Sequence, residues 1–412
     1  MRIAVIGAGL IGVSTAYFLG RAGHRVIVLD RREGPGLETS FANGGMITPS
    51  QADPWNAPGI AGKLLRWIGR EDAPVLLRTR SLLPMLRWGL AFLRNSSPRS
   101  FRANLLKNVR LARYSLEVLR AMRRETALQY DAADNGTMKF YRNPRSLRES
   151  EWLTRELADA GVSYERLDAR AVIEREPALE AIAPDIAGGL FFPDDESGDA
   201  YKYCMNVTQL AAGVGVEFRY GVAVGAIRSA GDSVDALVTP DGEIRADRYV
   251  LAAGSSSSLL GRTAGLGIPI EPVKGYSLTL DTEGWSHAPR IPLVDDDLHV
   301  AATPLGGRLR VAGTAEFAGQ DLHVTQHRIR PLLKFVSKLF PGERIDEAQA
   351  QPWAGLRPYS CDGVPILGAT RLRNLFLNTG HGHLGWSMAA GSGKLVADLI
   401  GAAAEELALS PY

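Results

Sequence analysis

Ile3-Ala4-Val5-Ile6-Gly7-Ala8-Gly9-Leu10-Ile11-Gly12, a helical run carrying Ala16 and Leu19, a turn at Gly23, and Val26-Ile27-Val28-Leu29 ending in Asp30 spell one complete βαβ unit. Gly7 suits the tight turn after the first strand, Gly9 lets backbone N–H groups approach a pyrophosphate, and Gly12 lets the helix pack close to the strand. Ile6, Ala8 and Ile11 complete the cradle, and the helix opening at Leu10 turns its positive dipole end toward the phosphates. Asp30 falls 18 residues after Gly12, beside Arg31. A carboxylate there accepts hydrogen bonds from a ribose diol and repels a 2′-phosphate, which points to FAD or NAD and away from NADP. A glycine turn alone is a weak signal; here both strands, the helix and the terminal acid agree.

The chain has 412 residues, too many for one compact core, so two domains are expected. With 45% hydrophobic and 22% charged residues, the composition is that of a globular enzyme. The only cysteines, Cys204 and Cys361, leave no disulfide framework or cysteine-rich metal site; no metal is expected and a reducing cytosol fits. The apolar run from Ile3 is interrupted by glycines and reads as nucleotide fold, not as a signal peptide. No run approaches 18 uninterrupted apolar residues, so no membrane span is expected.

A net charge of +2 conceals an asymmetry: residues 60–113 hold twelve Lys or Arg against Glu71 and Asp72. These bases are interleaved with Trp67, Trp88, Leu64, Leu65, Leu83, Leu86, Leu90 and Phe92. Two readings stand: an interfacial helix pair on an anionic membrane, or amphipathic helices packed on the protein with a solvated basic face. No nucleic-acid partner is indicated.

Along the chain, a Gly-, Pro- and Ser-rich loop (31–58) precedes the basic region, whose last helix is expected over 101–125. A turn-rich crossing near 191–198 leads to a helix from Lys202, a strand at 216–220 continued by Val222–Val224, and the buried strand 249–253. The expected architecture is α/β, a Rossmann-like nucleotide-binding domain (1–52, 196–262, 352–412) interleaved with an α+β substrate domain (53–195, 263–351) containing an antiparallel sheet.

Two further stretches carry chemistry. Asn378-Thr379-Gly380-His381-Gly382-His383-Leu384-Gly385-Trp386-Ser387, running through Gly391 and Gly393 into a helix, offers backbone N–H groups and a dipole to developing negative charge, or is simply a structural glycine turn. Gly355 to Pro365 contains Arg357, whose guanidinium fork suits a carboxylate at ~1.5–3 kcal/mol, or else forms a structural salt bridge.

Together with Glu38-Thr39-Ser40-Phe41-Ala42-Asn43-Gly44-Gly45-Met46-Ile47-Thr48-Pro49, Ala252-Ala253-Gly254 and Pro272-Val273-Lys274-Gly275-Tyr276-Ser277, these stretches resemble the D-amino-acid oxidase-like superfamily of FAD-dependent amine oxidoreductases, on its dehydrogenase side. The resemblance covers nearly the whole chain. It implies that Ser40, Asn43, Gly44, Gly45 and Met46 line the isoalloxazine, that Val224 holds the adenine side, and that Ala253 and Gly254 close over the pyrophosphate. Gly382, His383, Leu384, Gly385 and Trp386 then face the pyrimidine edge. Arg357 matches the arginine that grips the substrate carboxylate, with Tyr276 a second donor, Lys274 a further candidate, and His383 either flavin-facing or a satisfied structural histidine. Some members attach flavin through a cysteine; Cys361, four residues past Arg357 in a tight turn, does not suit that, and noncovalent FAD is expected.

The implied reaction is oxidative deamination of D-amino acids to 2-oxo acids and ammonia by hydride transfer from Cα to flavin N5, with a quinone or other respiratory acceptor. The implied place is cytoplasmic, with peripheral attachment to the inner face of the membrane left open. Three rivals remain: a dehydrogenase for D-proline or hydroxy-D-proline, a glycine- or sarcosine-type oxidase, and a non-catalytic flavin-binding assembly factor. Side-chain specificity is expected from loops at 50–60 and 290–305.

Overall fold

The strand Arg2–Ile6 pairs in parallel with Arg25–Leu29 on one side and Arg248–Leu251 on the other. Glu217–Arg219 extends the first side, and Leu375–Thr379, then antiparallel Ile366–Ala369, the second. This computed structural model describes residues 1–406 apart from Asp72 and Pro74, so Asp72 of the basic stretch and residues 407–412 lie outside the described residues. A sheet covered on both faces needs apolar residues at every strand position, and two-residue alternation divides them. Ile3, Val5, Val26 and Val28 enter a core shared with the helices Leu10–Arg21, Ala200–Gly213 and Gly385–Glu406. Ala4, Ile6, Ile27 and Leu29 enter another, shared with a small antiparallel sheet spanning 226–244. Val222–Val224 forms no strand and runs as loop.

The last helix begins at Gly385, after one 3-10 turn over Gly382–Leu384, and not beyond Gly393 as its glycine run suggested. Gly391 and Gly393 instead permit close crossings: a Cβ on Gly391 would lie 2.6 Å from Ser115 Cα, and one on Gly393 2.8 Å from the backbone nitrogen of Thr15.

A second, larger sheet is mainly antiparallel. Its order is Gln351–Ser360, Ile270–Asp281, Arg308–Phe317, Val300–Leu305, Leu293–Asp295, Thr137–Tyr141, Gly188–Phe192 and Glu165–Leu167, with Val75–Leu77 alongside Arg308–Phe317. The strand bearing Arg357 therefore belongs to this sheet, and the last passage between sheets falls after Ser360, not at 352. The basic stretch is not a helix pair. It forms Ile60–Trp67, Thr79–Leu82 and Leu86–Arg94, followed by the 29-residue helix Pro98–Thr126.

That long helix spans both halves, with Phe101, Leu105 and Val109 in one core and Leu116, Leu119 and Met122 under the six-stranded sheet. It is tied to the crossing segment by fully buried Glu196, which accepts from Arg120 Nε at 2.6 Å and Arg123 Nη1 at 2.7 Å. Glu196→Gln removes the charge but not the volume, and is expected to cost about 2–3 kcal/mol because it strips two partly buried guanidinium groups of their anion. An unchanged urea midpoint would contradict this.

Candidate active site

The glycine turn is shaped by lack of space. Gly7 has φ +106° and donates its N–H to the Leu29 carbonyl at 2.8 Å; a Cβ on Gly12 would lie 1.8 Å from the Gly7 oxygen. Asp30 braces the turn, with Oδ2 accepting from the Ala8 N–H at 2.6 Å and Oδ1 from the Arg32 N–H at 2.8 Å. Burial pushes its pKa up and these backbone donors oppose the shift. Ser40 Oγ accepts the N–H of Leu10 at 3.1 Å, fixing the loop after Asp30 on the helix start. Arg31 leans away to pair with Glu38 at 2.6 Å.

From this turn a cavity of about 1600 Å³ runs between the two sheets. Its wall includes the expected Ile6, Gly7, Gly9, Leu10, Ile11, Asp30, Arg31, Ser40, Asn43 to Met46, Val224, Ala253, Gly254 and Gly382 to Trp386; Ala8 and Gly12 lie behind it. The volume accommodates a flavin dinucleotide and a small substrate, and the Gly9 approach and Asp30 fit its pyrophosphate and ribose. Trp386 donates Nε1–H to the Gly198 carbonyl at 2.9 Å. Cys361 is not part of the wall.

Three successive carbonyls hold the 42–44 loop against the larger sheet. Ser277 Oγ donates to Ala42 O at 2.6 Å, Arg310 Nη1 to Asn43 O at 2.9 Å and Thr303 Oγ1 to Gly44 O at 2.7 Å. Arg310, absent from the sequence reading, is buried enough to pull its pKa down to about 10. A basic side chain in an otherwise alternating strand was the only signal.

Strand parity decides the substrate end. Val273 pairs with Arg357 and Gly275 with Gly355, so these side-chain positions share the cavity face. A Cβ on Gly275 would lie 2.2 Å from Arg357 Nη1, so only glycine leaves room for the guanidinium. Among the described residues Arg357 reaches no carboxylate and its buried Nη1 has no partner; its guanidinium carbon lies 5.8 Å from the centroid of the Trp55 ring. Desolvation pulls its pKa down to about 10, leaving it a cation at neutral pH.

The same parity turns the Lys274 side chain and the Tyr276 hydroxyl to the other face, although Tyr276, unlike Lys274, still lines part of the cavity wall. Tyr276 OH bonds Glu316 Oε2 at 2.8 Å, and Lys274 Nζ bonds Asp321 Oδ2 and the His323 carbonyl, each at 3.0 Å. Neither hydroxyl nor ammonium is free to meet a carboxylate beside Arg357, so both expected donors are better read as supports of the strand. Sequence proximity to Gly275 was misleading because neighbours in a strand point oppositely.

His383 is on the wall, with Nε2 3.2 Å from the Gln51 carbonyl and its ring stacked on Trp55 at 5.3 Å and near Tyr359 at 6.1 Å. Burial lowers its pKa to about 4, so it is neutral at physiological pH. The wall also carries Asp53 and Trp55, from the 50–60 loop expected to govern specificity, and Lys139 and Tyr141, which were not singled out from the sequence. At its far end the cavity reaches Leu64, Leu65, Leu86 and Leu90 of the two short helices. Leu65 is 73%, Leu83 81% and Leu90 61% exposed, an apolar rim among the basic residues. Among the described residues no helix is long and apolar enough to cross a membrane.

A family model described as FAD dependent oxidoreductase matches residues 2–399. The chain is 46% identical over 401 residues to a D-amino acid dehydrogenase of Paramagnetospirillum magneticum, covering 97% of this chain and 95% of that one. It is 45% identical to a D-amino acid dehydrogenase of Methylobacterium radiotolerans, over 99% and 97% of the two chains. Among solved structures, an L-proline dehydrogenase from P. horikoshii superposes with TM-score 0.76 at 19% identity, covering 97% and 92%. A glycine oxidase from Geobacillus kaustophilus does so at 0.75 and 22%, covering 97% and 95%. At such identities the structures share the fold.

Two buried histidines on this cavity, His381 and His383, lose their contribution to stability in acid. His381, Nε2 at 3.1 Å from Ser392 Oγ, has its pKa lowered by burial to about 3, and His383 to about 4, whereas both titrate at 6.5 when exposed. Between those values the unfolded chain holds protons that the folded chain does not, so their contribution, complete above pH 6.5, is lost as pH falls. Asp195, which burial raises to about 6, acts oppositely by protonating first in the folded state. Asp30, which burial also raises, acts in the same sense as Asp195, so the carboxylates offset part of what the histidines contribute. His381→Gln is expected to make the unfolding midpoint less sensitive to acid between pH 6.5 and 4 than that of the wild type; identical pH dependence of the two would contradict it.

Proposed function

The chain belongs to the FAD dependent oxidoreductase family, and from that premise we propose that it oxidises D-amino acids to 2-oxo acids and ammonia. The observation that carries this reading is Arg357, an unpaired guanidinium in the cavity whose other end is the dinucleotide cradle. The D-configuration and the amino acid class rest on the activity named for relatives at 42–46% identity. A non-catalytic flavin scaffold has no use for an unpaired cation at a desolvation cost.

When bound, FAD supplies a two-electron acceptor for the hydrogen on the substrate Cα. Arg357 holds the carboxylate, and the plane of Trp55 beneath it limits how the guanidinium can turn. Gly275 gives the fork its space. Neutral His383, stacked on Trp55, walls the site without adding charge. Catalysis by these residues is orientation. The imino acid product is hydrolysed by water.

For the acceptor we propose a membrane quinone. The cavity's far end is apolar, its rim exposes leucines, and twelve basic residues in 60–113 favour an anionic bilayer surface at about 1 kcal/mol for each that reaches it.

Anaerobic addition of D-amino acids, D-proline and hydroxy-D-proline included, is expected to bleach the flavin absorbance while L-enantiomers and sarcosine do not; bleaching by cyclic substrates alone narrows the class, and none by any amine defeats the reading. Arg357→Ala is expected to raise the KM for a D-amino acid by roughly 10- to 150-fold, the equivalent of a lost charged hydrogen bond. An unchanged KM would remove Arg357 from the site. Leu65→Glu combined with Leu83→Glu is expected to lower co-sedimentation with anionic vesicles on the order of tenfold or more; equal sedimentation of wild type and variant would place the basic helices outside any bilayer contact.

A further inference from the structure

The cavity holds an unpartnered anion as well as an unpartnered cation. Asp53 lines the wall with Arg357, and among the described residues it forms no hydrogen bond or ion pair. Its place is bracketed by its neighbours: the Gln51 carbonyl contacts His383 Nε2 at 3.2 Å, and the Trp55 ring stacks on His383 at 5.3 Å and lies 5.8 Å from the Arg357 guanidinium carbon. The segment is pinned further by the Trp55 N–H, which donates to Tyr359 OH at 2.7 Å. His383 feels both charges, raised by Asp53 and lowered by Arg357, and all three line the same cavity.

We propose that Asp53 is the anionic counterpart of Arg357, receiving the α-ammonium of the bound zwitterion and taking one proton from it before oxidation. This rests on the amino acid reading above and assigns the proton that reading leaves unplaced. An ammonium has no lone pair with which to form the C=N bond. Transfer of one N–H proton to the Asp53 carboxylate leaves a neutral amine; the Cα hydrogen then departs with its electron pair to the flavin, and the nitrogen lone pair becomes the second C=N bond. Atoms and electrons balance with FAD as the sole oxidant. The groups facing Asp53 are His383, Lys139, Tyr141 and Tyr359. Lys139 is the competing cation, but its Nζ lies 3.9 Å from Asp296 Oδ1 and it also faces Asp195, so it has other anions. A charge of each sign, neither neutralised by the protein, is complementary to an amino acid zwitterion and less so to an amine-free acid.

The test uses FAD-loaded wild type, Asp53→Asn and Asp53→Glu, with D-alanine and its amine-free analogue propionate as probes. General-base assistance contributes about 10²–10⁴-fold. Asp53→Asn is therefore expected to slow flavin reduction by D-alanine at least 100-fold at pH 7, with a rate that keeps climbing as the free ammonium ionises at alkaline pH. Propionate affinity, read from the flavin difference spectrum, is expected to be unchanged or tighter, and Asp53→Glu to recover much of the neutral-pH rate. An Asp53→Asn rate equal to wild type, or equal losses of D-alanine and propionate binding, would overturn the proposal in favour of a structural counter-ion for Lys139. If Asp53→Asn does not fold, a pH profile for Asp53→Glu identical to that of an enzyme without a base overturns it likewise. A wild-type flavin left oxidised by every amino acid defeats the amino acid reading instead, a result distinct from these.

Discussion

Three consecutive carbonyls, those of Ala42, Asn43 and Gly44, are held by Ser277, Arg310 and Thr303, and this grip joins the two sheets into one site. The loop leaves the six-stranded sheet after Arg25–Leu29, and Ser40 Oγ on the Leu10 N–H fixes it beside the glycine turn. Without both attachments the dinucleotide cradle and the arginine strand would be separate surfaces. Because buried backbone oxygens must find donors, the loop can close on the larger sheet only in the register in which all three are satisfied. The distance between cofactor end and substrate end is thus set by ordinary hydrogen bonding and not by the ligands.

Charge in the cavity follows a different rule from charge elsewhere. Away from it, buried ions find partners: Glu196 pairs with Arg120 and Arg123, Asp295 with Arg142 at 2.7 Å, and the buried guanidinium groups of Arg310 and Arg328 donate to backbone carbonyls. Within it, Arg357 has no anion and its pKa is depressed, a sign that the folded state carries an uncompensated desolvation penalty. A ligand supplying the missing charge relieves that penalty, so affinity is built into the unliganded protein as stored cost. Gly275 is the steric half of the same arrangement.

The nucleotide half was legible because its signals are local. Gly7, Gly9, Gly12 and Asp30 act within one βαβ unit, and each requirement of turn, approach and packing falls on a residue at fixed spacing. Arg357 was legible as a guanidinium in a motif, though its strand lies in the antiparallel sheet and not in the nucleotide-binding part. Tyr276 and Lys274 were misread because a motif read as a string ignores which face each residue takes, and only the pairing of 270–281 with 351–360 settles that. Asp53 and Trp55 were foreseen only as part of the 50–60 loop, with no role of their own, and Lys139 and Arg310 were not foreseen. They come from a loop and two distant strands, and nothing in the sequence around any one of them reports the others.

Gly391 and Gly393 let the last helix lie against Ser115 and Thr15, so the sequence-final element completes the core beneath the sequence-first strand. During synthesis Ala200–Gly213 can cover part of the apolar flank of Leu10–Arg21, but the part that packs on Gly385–Glu406 stays open until that helix is made. High contact order of this kind makes folding slow, and it leaves nascent chains dependent on chaperones or on cofactor capture for protection. The protein is in this respect a clasp whose two halves are made at opposite ends of its manufacture.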